Sequence, residues 1–170
     1  VVIEIHAASL NPIDFKIVRG DLKRVSRYRL PRPFGFDASG VVLSAGARAT
    51  RFKPGDAVYA RAPRDAIGTF AERIALPEKF VALKPAAASH AEAASLPLVG
   101  LTTLQGFARV RAAAGQRILI HAGAGGIGTF AIQYARHLGL HVTTTTSSKN
   151  VDFVNSLGAD RVIAYDRENY

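Results

Sequence analysis

The sequence predicts an α/β protein in two parts: a β-rich first half, then a second half built on a parallel sheet. Three observations carry this. The apolar pattern changes period, from short runs split by turn signals up to about residue 85 to stripes at helical spacing beyond it. A continuous apolar run, Arg117-Ile118-Leu119-Ile120-His121-Ala122, stands directly before a glycine-rich turn. From there, strand-like and helix-like segments alternate to the end. The length of 170 residues holds one or two small domains, and 48% hydrophobic with 21% charged residues argues against intrinsic disorder.

In the first half, Val1–Ala8 alternates in part and reads as a strand, as does Asp37–Leu43. Pro54-Gly55 is a turn signal, because proline fixes φ and glycine tolerates positive φ. Ala57–Ala60 and Thr69–Leu76 read as further strands, and strands at this spacing suggest a small barrel or sandwich. One short helix interrupts them. Asn11 stands as N-cap, Pro12 at the first helical position, Asp14 at N3 and Gly20 as the C′ residue. Capping by itself is a sufficient reason for Asn11 and Asp14.

In the second half, His90–Arg111 is rich in Ala and Leu, with Pro97 and Gly100 expected to break it into two helices. The run at 117–122 is expected to be a strand buried on both faces. Ile127, Ala131, Tyr134 and Leu138 recur at helical spacing, closed by Gly139. Leu140–Thr145 is strand-like, Val151, Val154 and Leu157 form a helical stripe closed by Gly158, and Arg161–Tyr165 is a third strand. The order βαβαβ predicts right-handed crossovers and a parallel sheet.

Composition removes several chemistries. With 0 Cys there are no disulfides, thiolate nucleophiles, Cys-ligated zinc sites or iron–sulfur clusters. With 0 Met, and an opening inside the apolar run Val1-Val2-Ile3-Glu4-Ile5, the sequence reads as a piece of a longer protein. No apolar run approaches the roughly 20 residues a spanning helix needs, and no membrane partner is expected. The net charge is +9, densest at Lys23, Arg24, Arg27, Arg29 and Arg32. That cluster reads as a solvated loop, as a site for a phosphate-bearing small ligand, or as a nucleic-acid surface. No nucleic-acid module is recognisable around its one aromatic, Tyr28, and a nucleic-acid partner is not the expectation.

Gly123-Ala124-Gly125-Gly126-Ile127-Gly128 satisfies G-x-G-x-x-G in the context the motif needs, after a strand and opening a helix. Gly123 is expected to permit the tight turn, Gly125 to let backbone approach a pyrophosphate, and Gly128 to let helix and strand pack closely. Amides of the first helical turn then face the phosphates. At the end of the second strand, where an NAD site places a carboxylate for the ribose, the sequence offers Thr146, Ser147, Ser148 and Lys149. These donors suit a 2′-phosphate, so NADP(H) is expected over NAD(H). A surface role before a helix is the plain alternative for Lys149.

Leu10-Asn11-Pro12-Ile13-Asp14, the stretch Pro31–Val42, Lys53–Tyr59, Leu96–Thr102, His121–Ala135 and Leu157–Ile163 together resemble the medium-chain dehydrogenase/reductase superfamily, in its zinc-independent quinone oxidoreductase and enone reductase branch. The resemblance runs over essentially the whole chain. It implies a GroES-like catalytic domain over 1–85, missing its first strands, and a Rossmann domain over 86–170, truncated after its third strand. Zinc-dependent relatives have a Cys-containing segment where this chain has Asn11-Pro12-Ile13-Asp14, and Gly-His-Glu where it has Gly35-Phe36-Asp37. No metal site is therefore expected. The resemblance places Asn11 near nicotinamide and substrate, Thr102 near the carboxamide, Ala124–Ile127 at the pyrophosphate and Tyr165 at the adenine-ribose end. Lys16 stands where some quinone reductases carry Tyr, which leans toward enones; it is read as a donor to a substrate carbonyl or as a surface lysine.

The implied activity is NADPH-dependent, zinc-independent hydride transfer to a quinone or α,β-unsaturated carbonyl. The alternatives are an enoyl-thioester reductase of the same superfamily, or a non-catalytic cofactor- or RNA-binding relative. The full-length protein is expected to be a cytoplasmic homodimer, and residues 1–170 alone to be inactive.

Overall fold

A computed structural model describes residues 1–24, Tyr28 and 31–169; Arg27 and Arg29 of the basic cluster lie outside them. The chain divides into two compact units, Val1–Leu98 and Val99–Tyr170.

The first unit is an antiparallel sheet in the order β4-β1-β2-β3-β5, made of β1 (Val2–Ser9), β2 (Asp37–Ser44), β3 (Ala57–Arg61), β4 (Arg73–Ala75) and β5 (Val81–Leu83). Its core gathers Ile3, Val42, Phe52, Val58, Leu76 and Val81, each contributing about 1.5–3 kcal/mol by leaving water. β1 and β2 approach so closely that a Cβ on Gly40 would overlap the Glu4 carbonyl, which is why glycine sits in mid-strand. The Lys53–Asp56 turn closes with a 3.2 Å bond from the Asp56 N–H to the Lys53 carbonyl, and Gly55 takes φ 93° as expected.

One strand expectation changes, and one strand was not expected. The run expected over Thr69–Leu76 shrinks to Arg73–Ala75, because the Thr69 and Phe70 N–H groups bond back to the carbonyls of Gly35 and Phe34. β5 has only three residues, too few to leave a period-2 signature.

Helix α1 (Pro12–Arg19) follows its sequence signals. The Asp14 carboxylate accepts from the Asn11 N–H at 2.7 Å. At the far end Gly20 takes φ 82°, and bonds from Gly20 N–H to Ile17 and from Asp21 N–H to Lys16 close a Schellman motif. Ile17 packs on Phe36 and Ile67. Helix α2 (His90–Ser95) is capped by Ser89, whose hydroxyl accepts from the Glu92 N–H, while the Glu92 carboxylate accepts from the Ser89 N–H at 2.8 Å. α2 packs on β1 and β2 of the first unit. Helix α3 (Pro97–Arg109) contains Gly100, so the break falls at Pro97 alone. Proline removes a helical donor, whereas glycine only weakens a helix.

The second unit holds β6 (Arg117–Ile120), α4 (Gly126–His137), β7 (His141–Thr146), α5 (Val151–Ser156) and β8 (Arg161–Ala164). The three strands are parallel in the order β6-β7-β8. Phe107, Ile120, Ala131, Ile132, Leu140, Val142 and Val154 form the core. Within residues 1–170, β6 pairs with β7 on one side. In this span Ile120 is buried, while Leu119 is 50% exposed and Arg117 is exposed. The central β7 carries the burial, with Val142, Thr144, Thr145 and Thr146 all buried.

Candidate functional site

The parallel strands β6, β7 and β8 bring three loops to their carboxyl ends, the end at which open α/β sheets bind ligands. The first is the glycine turn. It is fixed from the neighbouring strand: the Gly123 N–H donates to the Thr145 carbonyl at 2.8 Å, and the Ala122 N–H donates to the Thr145 hydroxyl at 3.1 Å. The tight bend is carried by Ala122, which takes φ 57°, and not by Gly123. Gly123 is needed for space, since a Cβ there would overlap the Thr144 hydroxyl and sit 3.1 Å from Ile132 and Val154 side-chain carbons. Gly128 matches its expectation: a Cβ would overlap the Ala122 carbonyl oxygen and lie 2.8 Å from the Gly123 Cα. The Thr129 N–H is the first in α4 to bond back, to the Gly125 carbonyl at 2.8 Å. The N–H groups of Ala124, Gly126 and Ile127 donate to nothing among the described residues, and Gly126 and Ile127 are exposed, whereas Gly128 is buried. The turn is thus a row of open backbone donors at the positive end of a twelve-residue helix.

The second and third loops carry Thr146, Ser147, Ser148, Lys149 and Tyr165. β7 and β8 end side by side, with the Tyr165 N–H donating to the Thr146 carbonyl at 3.1 Å. Thr146 is buried within the sheet. Lys149 is exposed and forms no ion pair among the described residues; Tyr165 is 53% exposed. Ser147 accepts from the Asn150 side-chain amide at 3.2 Å. Ser148 is engaged by a residue that sequence reasoning passed over. Its N–H donates to Asp166 Oδ1 at 2.8 Å and its hydroxyl to Asp166 Oδ2 at 2.9 Å. Those two bonds hold the Asp166 carboxyl below its usual range, the hydroxyl contributing most. The absence of a carboxylate in the 146–149 stretch therefore does not extend to the loop in space. The signal was one residue past Tyr165, at the end of a different strand.

In the first unit, Asn11 is buried at the mouth of α1 and Lys16 is exposed on it. The Asn11 side-chain amide donates to Asp37 Oδ2 at 2.9 Å. The same oxygen accepts from the Leu98 N–H at 3.2 Å and the Ser9 hydroxyl at 3.3 Å, while Oδ1 has no partner. Burial pushes the Asp37 carboxyl up to about 6, against the lowering effect of these donors and of Arg61. Thr102 lies exposed on α3 in the second unit. Arg32 of the basic cluster donates to the Ile67 carbonyl at 3.0 Å and lies over the Tyr28 ring. Among the described residues, no three His, Asp or Glu side chains gather as a metal-ligand set.

Residues 1–86 match the alcohol dehydrogenase GroES-like domain, and residues 126–170 match the family described as zinc-binding dehydrogenase. The chain belongs to the medium-chain dehydrogenase/reductase superfamily. Within it, the chain is 40% identical over 178 residues to a 2-methylene-furan-3-one reductase of Solanum lycopersicum, covering 100% of this chain and 46% of that protein. It is likewise 40% identical over 177 residues to an NADPH-dependent alkenal/one oxidoreductase, chloroplastic, of Arabidopsis thaliana, covering 99% of this chain and 46% of that protein. Among solved structures, the quinone oxidoreductase of Escherichia coli complexed with NADPH superposes with a TM-score of 0.88 at 29% identity, over 99% of this chain and 51% of that one. The chain spans about half the length of the curated relatives it matches. The GroES-like first half and the three-stranded parallel sheet agree with the expected architecture.

Proposed function

We propose that the full-length protein is an NADPH-dependent oxidoreductase that delivers hydride to a quinone or an α,β-unsaturated carbonyl without a metal. The observation that carries this is the row of unpaired amides at Ala124, Gly126 and Ile127, at a turn where Gly123 and Gly128 admit no side chain. That row fits a pyrophosphate. Ser147, Ser148 and Lys149 at the neighbouring strand end take the 2′-phosphate, Tyr165 lines the adenine-ribose end, and Thr146 frames them from within the sheet. When bound, the nicotinamide supplies the hydride. The chain's part is to hold the dinucleotide, position the acceptor and exclude water, which is sufficient for an acceptor that is already electrophilic. Asn11 and Lys16 of the first unit and Thr102 of the second complete the proposed set. The relatives' printed activities support the substrate class.

The same proposal divides the chain into a catalytic domain over 1–85 and a nucleotide domain over 86–170, supported by the family match ending at residue 86. We propose separately that the full-length protein is a homodimer and cytoplasmic. No helix among the described residues is long and apolar enough to cross a membrane. The test is NADPH oxidation by the full-length protein against quinones, enones, an enoyl thioester and simple aldehydes, with and without chelator. Turnover of quinones or enones that survives the chelator is expected. Turnover of aldehydes only, or loss of activity with the chelator, refutes the proposal.

A further inference from the structure

Ser148 offers two donors where an anion is expected, and both are already taken. Its N–H and hydroxyl meet the two oxygens of one carboxylate, Asp166, at 2.8 and 2.9 Å. The pair is local to the second unit and joins the ends of β7 and β8. Asp166 is exposed, so its charge is not neutralised by burial. The fixed cations at this end are Lys149, exposed beside Ser148, and Arg167, the residue after Asp166. A 2′-phosphate reaching the Ser148 donors must displace the carboxylate, and then remains within a few ångströms of it. A free 2′-hydroxyl carries no charge and meets no such repulsion.

We propose that Asp166 narrows the cofactor selectivity of this protein, by competing with the 2′-phosphate of NADPH for Ser148, a competition that the uncharged 2′-hydroxyl of NADH does not face. Asp166 therefore narrows a preference that Ser147, Ser148 and Lys149 would otherwise make wide. This rests on the dinucleotide reading of the glycine turn.

The experiment is titration of the full-length protein with NADPH and with NADH, following nucleotide fluorescence, for the wild type, Asp166→Ala and Asp166→Asn. Like charges a few ångströms apart in water are worth about tenfold in a binding constant once a phosphate dianion is involved. Asp166→Ala is expected to tighten NADPH by about that factor and to raise the NADPH-to-NADH ratio, with retained NADH binding as the control for folding. Asp166→Asn is expected to fall between, because its amide oxygen still accepts from Ser148 without the charge. An unchanged NADPH-to-NADH ratio in Asp166→Ala refutes the role of Asp166 alone. Weaker NADPH binding in that variant refutes it too, and makes Asp166 a group that holds Ser148 in place for the phosphate. A wild type that binds neither dinucleotide refutes the reading of the turn and this proposal with it.

Discussion

Two helical glycines should respond to the same substitution with opposite signs. At Gly128, near the start of α4, an added Cβ would overlap the Ala122 carbonyl oxygen and sit 2.8 and 2.9 Å from the Gly123 Cα and carbonyl carbon. All three neighbours are backbone, held by bonds to Thr145 from the Gly123 and Ala122 N–H groups. No side chain can rotate away, so helix and turn must separate. Overpacking of this kind costs about 1–3 kcal/mol, and rigid backbone puts Gly128→Ala at the upper end. At Gly106, inside α3, a Cβ would meet nothing within 4 Å and the backbone is ordinary helix. Gly106→Ala should therefore stabilise by about 0.5–1 kcal/mol through reduced chain entropy. Urea unfolding of the full-length protein measures both from the midpoints at constant slope. If Gly128→Ala proves neutral or stabilising, the close packing described here does not exist. If both variants lose stability equally, helix context and not the turn decides the cost.

Further predictions concern the first unit. The Asp37 carboxyl titrates at about 6 when folded, against 3.8 for the ordinary group. The folded state thus binds more protons between those values, and this group's contribution to stability falls as pH rises from about 4 to 6, by on the order of 3 kcal/mol. Asp37→Asn should flatten that part of a stability-against-pH curve and match or exceed the wild type at pH 7, since it removes a buried charge while its amide oxygen can still accept from Asn11, Ser9 and Leu98; an unchanged slope refutes it. Asp14 caps the Asn11 N–H at 2.7 Å from a buried position, so Asp14→Ala should cost about 2 kcal/mol in the same unfolding experiment. Asp14→Asn, which keeps an acceptor, should cost less. Lys149→Ala should weaken NADPH binding and spare NADH, read from paired titrations; equal weakening of both would remove Lys149 from the phosphate site.

Much of the fold was legible because its signals are local. The proline and glycine that bound α1, the turn at Pro54-Gly55 and the glycine motif after an apolar run act through backbone preferences within a few residues. Gly40 shows the limit: it looks like a weak point in a strand, and only the pairing of β1 with β2 shows that nothing larger fits beside the Glu4 carbonyl. The exposure of β6 has the same kind of limit. An apolar run records what a strand can tolerate, while its exposure depends on which strands and helices lie beside it.

The sequence by itself determined the two-part order, the helix ends and the turn that presents open amides, since each depends on torsional preferences and hydrogen bonds between near neighbours in the chain. Only the tertiary structure decided that Asn11 bonds Asp37, 26 residues away, and that Asp166 takes Ser148, 18 residues away. Those pairings join groups from different strands and loops. Nothing in the local chain specifies which charge a folded sheet will carry to the end of its neighbour.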